Sequence, residues 1–158
     1  MTTTTELLEA ARARGLMIVT AESCTGGLIA GALTEIAGSS DAVWGGYVTY
    51  ANEAKVALGV NAGLIASHGA VSEPVARAMA AAALRAAGVD VSVAVTGVAG
   101  PGGGSEEKPV GLVYFATARR GGPTLAHVER YGDIGRSQIR DRAVRTALEL
   151  LYAAVTGV

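Results

Sequence analysis

Residues Val89 to Val95 read Val-Asp-Val-Ser-Val-Ala-Val, with one charge at the leading edge and almost no polar alternation. A strand with one wet face alternates apolar and polar residues; a strand without that alternation is covered on both faces. Such a strand needs a layer of other elements above and below the sheet. Together with helices before and after it, such a strand points to an α/β layered domain.

The remaining elements fit that frame. Leu7, Leu8 and Ala11 repeat at helical spacing within Glu6–Arg14, and Gly15 is a C-terminal stop. A strand follows over Leu16–Ala21, then a helix from Thr25 to Ile36. Val43–Tyr50 is rich in strand formers, and Gly45 and Gly46 within it suggest a bulge or a close approach by another backbone. Asn52 is placed to cap a short helix through Leu58, and Asn61–His68 forms another. Ser72-Glu73-Pro74 starts a helix whose stripe is Val75, Met79, Ala82 and Ala86, ended by Gly88. Strands over Val110–Ala118 and Thr124–Tyr131 and a helix over Gly135–Ala154 complete the chain. The expectation is a single α/β domain over residues 1–158. Its five-stranded mixed sheet is flanked by helices, with the last strands supplying an antiparallel portion.

Within this frame Thr20-Ala21-Glu22-Ser23-Cys24-Thr25-Gly26-Gly27 joins a strand to a helix. The first N–H groups of a helix lack internal partners and attract anions. Ser23 is thus either a helix cap or a nucleophile beside an anion hole. The Thr96-Gly97-Val98-Ala99-Gly100-Pro101-Gly102-Gly103-Gly104-Ser105 loop is the second candidate region. Its length without regular structure marks it as functional or mobile, and its glycines suit an anion nest. It is neither a Walker A loop nor a dinucleotide fingerprint, since no Gly-Lys-Ser/Thr follows and it leads into a strand.

Ser23, Tyr50 and Thr96 all close strands, and ligands of open α/β sheets bind at that edge. Lys55 lies about one helical turn beyond Tyr50, where burial would lower its pKa and make it a base for Ser23. The alternative for Lys55 is a solvated surface position. Tyr50 could relay the proton or orient the pair. Arg136 and Arg140 sit where cations oppose the helix macrodipole, so a bound anion or a carboxylate partner is expected there. Cys24 is the rival nucleophile, but His68 and His127 lie in unremarkable surroundings, and a packed thiol is the simpler reading. No metal-ligand spacing is present, and neither metal nor cofactor is expected. A net charge of −1 gives no general attraction to nucleic acid or anionic membranes. A single cysteine excludes an internal disulfide. With no spanning-length apolar run and no signal-peptide pattern, a cytoplasmic protein is expected.

Ala21–Gly27, Tyr47–Lys55, Gly69–Pro74 and Thr96–Pro101, together with Gly104–Gly111, occur in an order that resembles the CinA C-terminal domain family over nearly the whole chain. Stand-alone members of that family are nicotinamide-nucleotide amidases, and larger members carry a further N-terminal domain that this sequence does not include. The resemblance implies hydrolysis of nicotinamide mononucleotide to nicotinate mononucleotide and ammonia. It implies Ser23 as nucleophile and Lys55 as base, with Tyr50 assisting. Thr25, Gly26, Gly27, Thr96, Gly97, Gly100 and Arg140 are the candidates for holding substrate, and a homodimer or larger homo-oligomer is expected. Two other classes stand beside this reading. One is a non-catalytic nucleotide-binding module linked to competence or DNA damage. The other is a metal-dependent phosphate-ester or pyrophosphate hydrolase.

Overall fold

A computed structural model describes residues 2–157. Its elements follow the order α1 (Thr4–Ala13), β1 (Ile18–Glu22), α2 (Leu28–Thr34), β2 (Val43–Val48), α3 (Asn52–Leu58), α4 (Ala62–His68), α5 (Glu73–Ala87), β3 (Val91–Gly97), β4 (Leu112–Arg119), β5 (Thr124–Arg130) and α6 (Arg136–Thr156). The sheet runs β2-β1-β3-β4-β5. Strands β2, β1 and β3 are mutually parallel, whereas β4 and β5 are antiparallel additions. The mixed five-stranded sheet expected from the sequence is therefore present.

Two cores sandwich the sheet. Helices α1, α2 and α6 close one face over Ile18, Val91, Val93, Val95 and Phe115. Helix α5 closes the other over Val19, Ala21, Ala94 and Ala116, with Leu58, Leu64 and Ile65 of α3 and α4 at its margin. Strand β3 explains its own composition. Its valines face the first core, while Ser92 and Ala94 present small side chains to α5. Ser92 is fully buried and donates from its hydroxyl to the Ala80 carbonyl at 2.7 Å. Each fully buried valine contributes about 1.5–3 kcal/mol.

Several boundaries differ from those read in the sequence. Helix α2 starts at Leu28, because Gly26 and Gly27 take φ of 58° and 106°, a left-handed conformation that interrupts helical bonding. Strand β2 ends at Val48, which leaves Thr49 and Tyr50 irregular. Ala51, rather than Asn52, occupies the cap position of α3, and no side chain caps that helix. Ser72 does cap α5, accepting the Val75 N–H at 3.4 Å. Of the two expectations for Gly45 and Gly46 the bulge is present, as the β1–β2 register shifts between Val43 and Gly45; the approach at Gly46 is by a side chain and not by backbone, since a Cβ there would lie 2.3 Å from Thr20 Oγ1.

The chain leaves β1 toward β2 on one side and returns to β3 on the other. The crevice at the carboxyl ends of β1 and β3 is thus a topological switch point, the usual ligand position of open α/β sheets. No helix among the described residues is long and apolar enough to cross a membrane.

Candidate active site

Ser23 is the first residue past β1, and its N–H donates to the Val95 carbonyl of β3 at 2.9 Å. The hydroxyl therefore stands at the switch point with its backbone fixed. Lys55 reaches it from α3: Nζ lies 3.0 Å from Ser23 Oγ. The lysine is only 1% exposed and Ser23 8%. Two further bonds run from Nζ to the carbonyls of Thr49 at 2.9 Å and Tyr50 at 3.1 Å. A neutral amine has two N–H groups for the two carbonyls and one lone pair, which then faces the serine hydroxyl. Burial holds Lys55 below the usual lysine range, against a smaller upward pull from Cys24. The surface alternative for Lys55 is thereby removed.

The turn after Ser23 departs from expectation. Its donors were expected to meet a ligand anion; instead they meet Glu22, which is fully buried. The carboxylate accepts from Thr25 Oγ1 at 2.7 Å and from the N–H groups of Gly27, Ile29 and Ala30 at 3.2, 2.9 and 2.9 Å, with Thr20 Oγ1 at 3.3 Å. Gly26 donates to the Ser23 carbonyl. Thr25, Gly26 and Gly27 thus build the turn and spend these donors inside it. Within the 23–27 turn, the N–H groups of Cys24 and Thr25 find no acceptor among the described residues.

Arg140 likewise serves the turn. Its Nε donates to the Cys24 carbonyl at 3.0 Å and its Nη2 to the Thr25 carbonyl at 3.3 Å. It lines a separate groove between α2 and α6 and is not among the residues lining the cavity at Ser23. Arg136, one turn earlier on α6, is the guanidinium at the cavity. It donates to the Gly100 carbonyl at 2.7 Å and approaches the Tyr50 hydroxyl at 3.4 Å. Neither arginine forms an ion pair among the described residues. The unfavourable placement of cations at the start of α6 was the sequence signal for this residue.

The cavity has a volume of about 210 Å³ and brings together Ser23, Cys24, Tyr50, Lys55, Thr96 and Arg136, with Asn52 and Gly97 also on its wall. Thr96 is buried and its hydroxyl donates to the Ala70 carbonyl at 2.9 Å. Gly100 lies behind the wall and holds Arg136. Tyr50 is 62% exposed and meets Lys55 through its carbonyl, while its ring hydroxyl turns to Arg136. Asn52, read in the sequence as a cap, is a wall residue. Cys24 is buried and its thiol is pushed up to about 11, chiefly by that burial; it stays protonated at neutral pH, unlike a nucleophilic cysteine.

The sequence model of the CinA C-terminal domain matches residues 1–155. A CinA-like protein of Mycolicibacterium vanbaalenii is 56% identical over 144 residues, covering 90% of this chain and 34% of that protein. A putative competence-damage inducible protein of Symbiobacterium thermophilum is 52% identical over 154 residues, covering 91% of this chain and 36% of that protein. The chain thus spans about a third of the length of the curated relatives it matches. Among solved structures, the competence/damage inducible protein CihA of Agrobacterium tumefaciens superposes with a TM-score of 0.94 at 56% identity, covering 97% of this chain and 93% of that one. A CinA superfamily protein of Klebsiella pneumoniae gives a TM-score of 0.90 at 36% identity, covering 99% and 100%. With sequence and backbone agreeing along nearly the full length, the chain belongs to the CinA C-terminal domain family.

Proposed function

We propose that this chain is an amidohydrolase that converts nicotinamide mononucleotide to nicotinate mononucleotide and ammonia. The observation that supports it is the 3.0 Å approach of a buried lysine to a serine hydroxyl at the sheet's ligand-binding edge. In this reading Ser23 Oγ attacks the carboxamide carbon as its proton passes to neutral Lys55. The N–H groups of Cys24 and Thr25 are the donors left to meet the oxyanion, and each such donor is worth roughly 2.7–4 kcal/mol of barrier lowering. The tetrahedral intermediate collapses by breaking the C–N bond, and Lys55 returns the proton to the departing ammonia. Water, deprotonated by the same amine, then hydrolyses the acyl-serine ester and restores the hydroxyl.

At about 210 Å³ the cavity is smaller than the roughly 300–1,000 Å³ of ordinary small-molecule sites. It suits the pyridine carboxamide, with ribose and phosphate at the rim. Arg136 stands there without a carboxylate partner among the described residues, so it is the donor that this reading assigns to the phosphate. The test is ammonia release from nicotinamide mononucleotide by wild type and Ser23→Ala, with the acyl-enzyme sought by mass spectrometry. Undiminished release by Ser23→Ala refutes the mechanism.

The competence and damage names of the relatives favour a second reading, a nucleotide-binding module without turnover. Binding alone requires no lysine buried against the serine. Nucleotide binding without ammonia release would establish the module.

A further inference from the structure

The mechanism leaves one buried titratable group unused. Glu22 precedes the nucleophile directly, is wholly inaccessible, and forms no ion pair among the described residues. Removing a carboxylate from water costs several kcal/mol unless hydrogen bonds replace its hydration. Here two hydroxyls and three main-chain N–H groups replace it, two of those bonds also tying down the first residues of the seven-residue α2. The residue ahead of α2 takes φ of 106°, a conformation that strains any L side chain, so a serine or threonine cap does not fit there. Position 27 instead holds Gly27 with no side-chain cap, and the capping group comes from the last residue of β1.

The backbone of Glu22 is fixed as well. It pairs with Val48 on one side and Val95 on the other, and its carbonyl accepts the Thr49 N–H at 2.8 Å. Thr49 in turn offers its own carbonyl to Lys55. One residue therefore grips the Ser23 turn through its side chain and the lysine-bearing segment through its main chain. From the far side of the turn, Arg140 takes the carbonyls of Cys24 and Thr25. The carbonyl and N–H of a trans peptide point in opposite directions. Fixing the Cys24 carbonyl on Arg140 thus directs the Thr25 N–H away from α6.

We propose that Glu22 is a positioning residue for the nucleophile: its carboxylate is an internal anion that sets the 23–27 turn, and with it Ser23 Oγ against Lys55 Nζ. This rests on the reading of Ser23 as nucleophile. Five bonds converging on one charged group hold it more firmly than the single bond of a neutral cap, and a misplacement of about 1 Å costs on the order of 10²-fold in rate.

The test is the rate at which a fluorophosphonate phosphonylates Ser23, followed by mass spectrometry. It is read beside kcat and KM for ammonia release in wild type, Glu22→Gln, Thr25→Val and Thr25→Ser, each checked for fold by circular dichroism. Labelling reads the nucleophile without reference to any substrate. In Glu22→Gln, labelling and kcat fall together by on the order of 10²-fold, while KM stays near wild type. Thr25→Val, which removes one charge-assisted bond, loses about tenfold, and Thr25→Ser recovers most of that loss. Folded Glu22→Gln and Thr25→Val proteins with wild-type labelling and kcat overturn the proposal, leaving Glu22 as a cap for α2. Where Glu22→Gln does not fold, the two Thr25 variants decide by the same criteria. A wild type neither labelled at Ser23 nor able to release ammonia removes the nucleophile itself, and the positioning role with it.

Discussion

Replacing Lys55 by methionine separates the chemistry of the site from its folding energetics. The substitution keeps the length of the side chain and removes one proton-binding group that is 1% exposed. It also removes the partner of the Ser23 hydroxyl and the donor to the carbonyls of Thr49 and Tyr50. An acceptor left unpaired in the interior costs about 1–3 kcal/mol, offset by no longer burying an amine, so the variant should fold. Activity should fall by at least about 10³-fold, or ~4 kcal/mol of barrier, since base and proton donor are lost together. The pH dependence of stability is the sharper measurement. Burial lowers the lysine's pKa in the folded state, so between the folded and unfolded values the unfolded chain binds more protons. Stability attributable to Lys55 therefore rises with pH across that window, by at most about 1.4 kcal/mol per pH unit for one proton. Below the folded value the penalty is complete, and above the unfolded value, near 10.4, it is gone. Denaturant unfolding of wild type and Lys55→Met from neutral pH to about 10.5 should give a difference that moves steadily in favour of wild type. A flat difference would mean that the folded protein holds this proton as tightly as the unfolded chain, and the assignment of Lys55 as base would fail.

Arg136→Gln should raise KM for nicotinamide mononucleotide by about 10–100-fold, the worth of a lost charge-assisted contact of 1.5–3 kcal/mol. Its kcat should stay near wild type, because the residue stands at the rim; a pure kcat effect, read by steady-state kinetics, would contradict that placement. Cys24→Ala should retain most of kcat. Alkylation of Cys24 by iodoacetamide in the wild type should be slow at pH 8, since its thiol is pushed up to about 11; rapid labelling at that pH would return the cysteine to contention as nucleophile.

The sequence carried the fold well because its signals were local: unbroken apolar strands, Ser72-Glu73-Pro74 at the head of α5, and glycines at the helix ends. The meeting of Ser23 and Lys55 was legible as one strand end and a position one helical turn beyond another, although only the order of β2, β1 and β3 in the sheet places them at one crevice. What escaped was how donors are allocated. A glycine turn before a helix reads as an empty anion site, and nothing in the linear order says that the preceding glutamate folds back to fill it. Likewise Arg136 and Arg140 read alike in sequence. One helical turn directs the first to the cavity and the second to the carbonyls that follow Ser23, and that choice depends on how α6 docks.

Arg140 carries one more consequence. A ribosome delivers Ser23 early and Lys55 thirty-two residues later, but the guanidinium that braces the turn arrives 116 residues after Cys24. Synthesis proceeds at roughly 5–20 residues per second, so an emerging chain spends many seconds with hydroxyl and amine both made and the brace still missing. On the proposed reading of Ser23 and Lys55, helix α6 is a latch on the site as well as a layer of the core, and a nascent fragment that ends before it holds both side chains without the guanidinium on the Cys24 and Thr25 carbonyls.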